Sequence, residues 1–383
     1  MSLHACTPLV LPDGAGTARR FEDPRQHLPG RAPLEARDYA GFDTHALFHD
    51  VFITPDGEAI EAIGPPLVNL ARTLLPLTAT LGNGCGLRHR QRRHDRVTVH
   101  RFTPVHGRLP ARGPIETTLR FADGYAVTMT VHRSELAPVR VQFTTLQKDN
   151  PPEWILDWLH WLALIGVDRV LLYDNGSVNR DAVLERLAQV ELPLPLVWID
   201  WPWPYGPIRS YYNQFAQATQ NNHAHRCLGR AEWTGHFDID EFPVGRPAGA
   251  LDLHGLLDRA PRRAGTLRLD SCWVPDLREA AVDRLPRVTD FPYRERVPRG
   301  RAHKYLVRNR ALHAANTHNA RLRPGWYRHA VAPDRAMFLH YKPLTTQWRD
   351  YAVRGAAEPY DAALHVEERT VVDALAPAVS SRP

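Results

Sequence analysis

The sequence predicts an α/β fold whose carboxyl-proximal part is organised on a parallel sheet. Three observations predict it. From Val139 onward, strand-like and helix-like segments alternate, the pattern of parallel strands joined by right-handed crossovers. Asn150-Pro151-Pro152-Glu153 has the chemistry of a helix start, with Asn as N-cap, Pro at the first helical position and Glu three residues beyond the cap. Trp233 to Phe242 reads as a short buried strand that runs straight into Asp238, Asp240 and Glu241. Unpaired buried carboxylates are costly. A hard divalent cation is the usual compensation, and open α/β sheets bind ligands at the carboxyl ends of their strands.

The chain in order supports this division. Residues 1 to about 60 are rich in Pro, Gly and charge and carry the turn signal Pro55-Asp56-Gly57. Gly82 to Gly86 is glycine-rich but lacks the Gly-Lys-Ser/Thr ending of a phosphate loop. Arg88 to Arg96 holds seven basic residues in nine, counting histidine, and reads as a solvated linker or loop, with contact to an anionic surface as the alternative. Thr117 to Phe121, Asp123-Gly124 and Tyr125 to His132 read as a hairpin, with Tyr125, Val127, Met129 and Val131 alternating on one face. Residues 1–138 are accordingly a β-rich amino-terminal region.

Val139 to Thr145 is the first apolar strand of the second part. The helix after it buries Ile155, Trp158, Leu159 and Leu162 and ends at Gly166. Arg169 to Tyr173 is the next strand, closed by Asp174-Asn175-Gly176-Ser177. A helix over Arg180 to Val190, a strand over Pro195 to Trp201 and a long helix from about Ser210 to Leu228, stopped by Gly229, lead to the Trp233 strand. This order places Asp174, Asp238 and Asp240 along one edge, outside the carboxyl ends of their strands.

Bulk properties narrow the function classes. The chain has 383 residues, 43% hydrophobic and 23% charged, as expected of one large globular domain with additions or of two domains. A net charge of +6 suits an anionic substrate such as a nucleotide sugar and falls short of a dedicated nucleic-acid binder, so no nucleic-acid partner is expected. Cys6, Cys85, Cys227 and Cys272 are scattered with no Cys-x-x-Cys pair. Neither a zinc site nor a disulfide framework is expected from them, and a reducing compartment is the default. No basic segment followed by an apolar core marks a signal peptide. The most apolar window, Leu67 to Leu81, contains Arg72 and Pro76 and is too short to span a bilayer. A cytoplasmic protein, at most associated with a membrane surface, is expected.

Six short segments recur in a known order. Lys148-Asp149-Asn150 stands where a Lys-Asn-Glu ends the first strand, and Asp157-Trp158 where a Glu-Trp pair lies on the first helix. Ile165-Gly166-Val167-Asp168 stands for Leu-Gly-Val-Asp, Tyr173 to Ser177 is an intact Tyr-Asp-Asn-x-Ser corner, Asp238 to Phe242 an intact Asp-x-Asp-Glu-Phe, and His340-Tyr341-Lys342 a late His-Tyr-Lys. Over about residues 140 to 350 this ordered set resembles glycosyltransferase family 92 and its bacterial family-2-like relatives. Two departures fall near the expected nucleotide: Asn179 replaces an acid two beyond the Ser, and the first-strand Glu is lost.

The resemblance implies a GT-A fold, a Rossmann-like nucleotide-diphospho-sugar transferase domain over 139–355, with a tail over 356–383. It implies Lys148, Asp174 and Asp238 as nucleotide contacts, Asp174 accepting a hydrogen bond from the base. It implies Asp238, Asp240 and His340 around Mn²⁺ or Mg²⁺, which would neutralise the departing diphosphate. Lys342 and Lys304 could pair with phosphate, although Lys304 reads more readily as a solvated surface lysine. Asp270, after the apolar strand Gly265 to Leu269, is the candidate general base on the acceptor hydroxyl, with Asp276 and Glu295 as rivals. Trp273 and the run Trp201 to Tyr205 are candidates for stacking on sugar rings, with packing as the commoner fate of such residues. His223 and His225 are two apart on a helix and so point apart; with His313 and His318 they suggest no site. The implied function is metal-dependent, inverting transfer of a sugar from a nucleotide-diphosphate donor, UDP-sugar favoured, to a hydroxyl on a glycan, protein or small molecule. Two alternatives are a nucleotide-sugar-binding protein without turnover and a metal-dependent phosphohydrolase. The latter lacks the several acid and histidine clusters that two-metal hydrolysis needs.

Overall fold

Parallel pairing of the first strands after Val139 sets the architecture, and a computed structural model describes residues 1–10, 43, 45–94, 96–206, 214–245, 249–278, 284–344 and 359–380. The strands of the main sheet are β1 (Ser2–His4), β2 (Val139–Gln147), β3 (Arg169–Asp174), β4 (Leu196–Asp200), β5 (Ala231–His236), β6 (Glu241–Gly245), β7 (Ala264–Val274), β8 (Arg299–Arg308), β9 (Tyr327–Ala330) and β10 (Ala336–Tyr341). Their order is β1-β4-β3-β2-β5-β8-β7-β10-β6, with β9 alongside β7. From β1 to β5 every neighbouring pair is parallel. The β5–β8, β8–β7 and β10–β6 pairs are antiparallel, so the fold is mixed α/β and strand-rich.

Because β3 and β4 lie on one side of β2 and β5 on the other, the chain direction of build-up reverses between β2 and β5. A crevice opens outside their carboxyl ends at such a point. The continuous strand expected from Trp233 to Phe242 is broken: β5 ends at His236, a turn carries Asp238 and Asp240, and β6 begins at Glu241. Gly235 on β5 is required by packing, since a Cβ there would lie 2.6 Å from the Phe143 ring.

Helix α1 (Pro152–Leu164) shows why the acids are held where they are. Trp158 and Trp161 are fully buried, and their indole N–H groups donate to the Glu241 and Pro243 carbonyls of β6 at 3.0 and 2.9 Å. Truncating rings buried like these costs about 3–5 kcal/mol, so β6 is firmly anchored. Asp157, on the same helix, is buried against the Arg287 guanidinium at 2.7 Å. The helix ends through Gly166, whose φ of 93° is the left-handed conformation that glycine favours. Its start differs from expectation. Pro151 occupies the N-cap position, and the Asn150 side chain turns instead to Gln147 Oε1 and the Lys148 carbonyl.

Helix α2 (Arg180–Ala188) joins β3 to β4, and α3 (Phe215–Arg226) precedes β5. The expected beginning of the latter near Ser210 lies outside the described residues.

Residues upstream of β2 form a closed seven-stranded barrel of Asp50–Ile53, Ile60–Gly64, Thr78–Leu81, Gly86–His94, Val97–Pro104, Ile115–Arg120 and Ala126–Arg133. The expected Asp123-Gly124 hairpin forms, with Val127 opposite Leu119 and Gly124 at φ 89°. The basic run is a correction: Arg88 to His94 is a barrel strand, paired residue by residue with Val97–Thr103, so backbone pairing decides its structure while its arginines stay exposed. Phe52, Ile63, Val97 and Val99 of the barrel pack with Tyr173, Trp201 and Ala224, joining barrel, sheet and α3 in one core. Among the described residues no helix is long and apolar enough to cross a membrane.

Candidate functional site

A cleft of about 290 Å³ opens where β2 and β5 diverge. Lys148 and Asn150 line it after β2, Asp238 and Asp240 after β5, Lys304 from β8 and His340 from β10. Glu241 pairs with His340 across the β6–β10 ladder, which brings an acid from the turn and a histidine 100 residues later into contact. His340 Nε2 lies 3.1 Å from Asp240 Oδ2 and 3.0 Å from Lys342 Nζ. Candidate ligand atoms of Asp240, Glu241 and His340 all fall within 4.8 Å of one another.

The expected set of Asp238, Asp240 and His340 is therefore regrouped. Asp238 turns to Lys304, whose Nζ donates to Oδ2 at 2.5 Å, and Glu241 takes its place beside Asp240 and His340. The Asp238 backbone N–H donates to Glu241 Oε2 at 2.9 Å, tying the turn to the strand. Lys304 corrects another expectation. It is 4% exposed, not solvated, and it bridges Asp238 and, at 3.0 Å, Glu241 Oε2. Burial opposes its charge, but the two carboxylates hold its pKa above the usual lysine range. Burial pushes the Glu241 carboxyl up to about 7 despite Lys304. Burial acts on Asp240 in the same sense, yet His340, Lys342 and Lys304 together hold its carboxyl below the ordinary value.

Asp174 stands at the same sheet edge, Gln147 and Asp174 being paired at the ends of β2 and β3. Its carboxylate does not line the cleft. It is buried, accepts hydrogen bonds from the Gln147 side chain and from the Ser177 N–H, and burial raises its pKa. The Tyr173 to Ser177 corner is a joint between strand ends: Ser177 Oγ accepts from the Asp149 N–H at 2.9 Å, and Asn175 donates to the Trp201 and Trp203 carbonyls.

The three candidate bases differ. Asp276 is held by Arg278 at 2.8 and 2.6 Å, and Glu295 by Arg299 at 2.7 Å. Among the described residues Asp270 has Arg268 Nε at 3.4 Å as its ion pair, and its buried Oδ1 has no hydrogen-bond partner. In the β7–β8 ladder Asp270 lies opposite His303, one position beyond the Leu269–Lys304 pair. It therefore faces the other side of the sheet from Lys304. That side carries a second cavity of about 260 Å³, lined by Arg268, His303 and Arg328 among others; His318 lines both cavities. Of the aromatic candidates, Trp201 is fully buried and Trp203 stacks on His49 at 4.3 Å, while Tyr205 lines the first cleft. Trp273 lies under the Arg299 guanidinium, 3.5 Å from the ring centroid.

The model of glycosyltransferase family 92 matches residues 145–369, more than half of the chain. This protein belongs to glycosyltransferase family 92. A glycosyltransferase family 92 protein of Ricinus communis is 31% identical over 94 residues, which are 24% of this chain and 15% of that relative. The match thus spans less than a sixth of the relative's length. Among solved structures, the crystal structure of S. aureus TarS 1–349 aligns over 38% of each chain at 12% identity and a TM-score of 0.25, too loose to carry an argument.

The sequence did not place three cleft residues of this family 92 protein: Lys304, considered for phosphate but read more readily as solvated, His318, read as suggesting no site, and Gln217, not singled out. Lys304 carried a signal, a lone lysine in the apolar strand segment Tyr305-Leu306-Val307. His318, which burial pushes down to about 4, and Gln217, which accepts from Tyr205 OH at 3.0 Å, carried none: loop and helix bring them in from unpatterned sequence.

Proposed function

We propose that this family 92 protein is a metal-dependent GT-A glycosyltransferase that moves a sugar from a nucleotide-diphosphate donor, with UDP-sugar favoured, to an acceptor hydroxyl with inversion. One observation carries the reading: Asp240, Glu241 and His340 gather their donor atoms within 4.8 Å in the crevice where the sheet order reverses. Two carboxylates and an imidazole are a donor set that Mn²⁺ or Mg²⁺ accepts. The parallel order β4-β3-β2-β5 supports the GT-A assignment within the same proposal.

In this reading Asp240, Glu241 and His340 hold the cation, which supplies positive charge to the leaving diphosphate. Lys148 and Lys342 add point charges on the phosphates, and Lys304 keeps Asp238 and Glu241 oriented while the site is empty. Asp174 acts through the corner it braces, positioning the loop of Lys148 and Asn150 under the nucleotide. Asp270 lines neither cavity and faces the other side of the sheet from Lys304, so the base that takes the proton of the acceptor hydroxyl is another group on the side of the cleft. The new glycosidic bond then forms on the face of the sugar opposite the breaking bond to phosphate.

Thermal melting with Mn²⁺ across a panel of nucleoside diphosphates and nucleotide sugars tests the donor side, because a ligand of the folded state raises the midpoint by mass action. A metal-dependent rise with UDP or UDP-sugar is expected. A rise with a guanosine or deoxynucleoside diphosphate alone replaces uridine in the proposal, and no rise with any nucleotide overturns it.

A further inference from the structure

The geometry points to a zinc site, sharing no residue with the cleft, in which His4, Cys6, Asp50 and His223 fasten the amino-terminal segment to the barrel and to helix α3. Candidate ligand atoms of these four side chains lie within 4.8 Å of one another. They arrive from three places: His4 and Cys6 from β1 and the segment after it, Asp50 from the first barrel strand and His223 from α3. Two imidazoles, a thiolate and a carboxylate are ligands that zinc takes in a tetrahedron.

Distances around the histidine and the acid fit with little movement. His223 Nε2 lies 2.7 Å from Asp50 Oδ2. With bonds of about 2.0–2.1 Å, neighbouring N and O ligands of a tetrahedral zinc stand about 3.3 Å apart, so the pair opens by roughly half an ångström. The far side of each ligand is already held. His223 Nδ1 meets Tyr173 OH at 2.8 Å, and Asp50 Oδ1 accepts from the Thr7 N–H at 2.6 Å. Outer partners of this kind fix the ring orientation of metal-bound histidines and the carboxylate beside them.

Charge balance argues the same way. Asp50 is 1% exposed, and among the described residues no lysine or arginine pairs with it. Two other buried acids at similar depth are compensated by guanidinium groups, Glu61 by Arg101 and Arg226 and Asp157 by Arg287. His4 has only the weak contact of Cys227 Sγ, at 3.8 Å, as its hydrogen bond among the described residues, so its ring is not committed to a strong partner. Cys6 would ligate as the thiolate, its proton passing to solvent as the S–Zn bond forms. The site also accounts for the seating of β1, a three-residue edge strand with little hold of its own.

The test is zinc content of the full-length chain from zinc-replete expression, together with the absorption of the Co²⁺-substituted protein. Both are repeated in an Asp240→Asn/His340→Ala background that removes cleft donors. We expect one zinc per chain to persist in that background, and Co²⁺ to give a thiolate-to-metal charge-transfer band that Cys6→Ser abolishes. The double variant His4→Ala/Cys6→Ser should lose stoichiometric zinc while keeping the Mn²⁺-dependent nucleotide response of the cleft. Should Cys6→Ser fail to fold, Cys6→His serves: it is expected to keep zinc and lose the charge-transfer band. A wild-type chain without zinc, a Co²⁺ form without that band, or zinc undiminished in His4→Ala/Cys6→Ser overturns the proposal.

Discussion

Asp240, Glu241 and His340 stand in an open cleft with Lys304 and Lys342 beside them, whereas His4, Cys6, Asp50 and His223 stand inside the seam of barrel and sheet, with no lysine or arginine among the described residues paired to Asp50. The two clusters use nearly the same residue types. They differ in who balances the carboxylates. In the cleft, lysines do so without any metal, and a cation that arrives with its diphosphate can leave with it. In the seam one imidazole faces the acid, and the proposed zinc would be a permanently held ion that completes the balance. Histidine and acid in contact are thus not one kind of site. Access and the nearest ammonium group distinguish them.

The largest test of that contrast is Asp240→Ala. It is expected to abolish the Mn²⁺-dependent rise in melting temperature with UDP and to lower transfer on the order of 10³-fold, with zinc content unchanged. Unaltered Mn²⁺ and nucleotide binding in this variant would sink the cleft assignment.

Lys304→Met removes the internal cation and leaves Glu241 buried without it. Breaking a buried pair from one side costs about 3–5 kcal/mol, measurable by urea unfolding. The variant should also be stabilised more by Mn²⁺ than the wild type is. Equal metal responses would show that the lysine does not stand in for the ion.

A third histidine cluster, with no acid at all, gives the pH reference. His100 in the barrel wall is fully buried beside His89, at 3.0 Å, and burial pushes it from 6.5 to about 3. Below pH 6.5 the unfolded chain takes up a proton that folded His100 refuses, so the unfolded state binds more protons and stability falls with pH until about 3. Between pH 6.5 and 5 the loss is about 2 kcal/mol. His100→Gln should flatten this dependence, and an identical slope in the variant would assign it to other groups.

The smallest effect is expected at Asn150. Its side chain bonds within its own turn rather than capping α1. Asn150→Ala should therefore change stability by no more than about 0.5 kcal/mol, while weakening nucleotide binding if the cleft holds the donor. A loss nearer 2 kcal/mol would restore the capping role that the sequence suggests.

Much of the sheet was legible because its signals are local. Apolar runs, the Pro151-Pro152 helix start, Gly166 and the Asp123-Gly124 turn each act within a few residues, where propensity and backbone geometry decide. Asp240 and His340 could be named from short motifs. Arg88 to His94 misled for the opposite reason: composition described a solvated loop, and partner-strand hydrogen bonding made it a barrel strand. Asp174 misled because its motif is intact, yet the neighbouring strand end supplies Gln147 to occupy its carboxylate.

By itself, then, the sequence determined the alternation of strand and helix after Val139, the hairpin at Asp123-Gly124 and the gathering of acids from Asp238 to Glu241 after the Trp233 strand. All of these depend on contacts within one or two elements. Only the tertiary structure decided that Glu241 rather than Asp238 joins Asp240 and His340, that Lys304 lies buried between acids, and that His4, Cys6, Asp50 and His223 meet. Those groupings span up to 219 positions, from His4 to His223. They arise from strand register and from docking of the barrel on the sheet, which a residue's near neighbours in the chain do not encode.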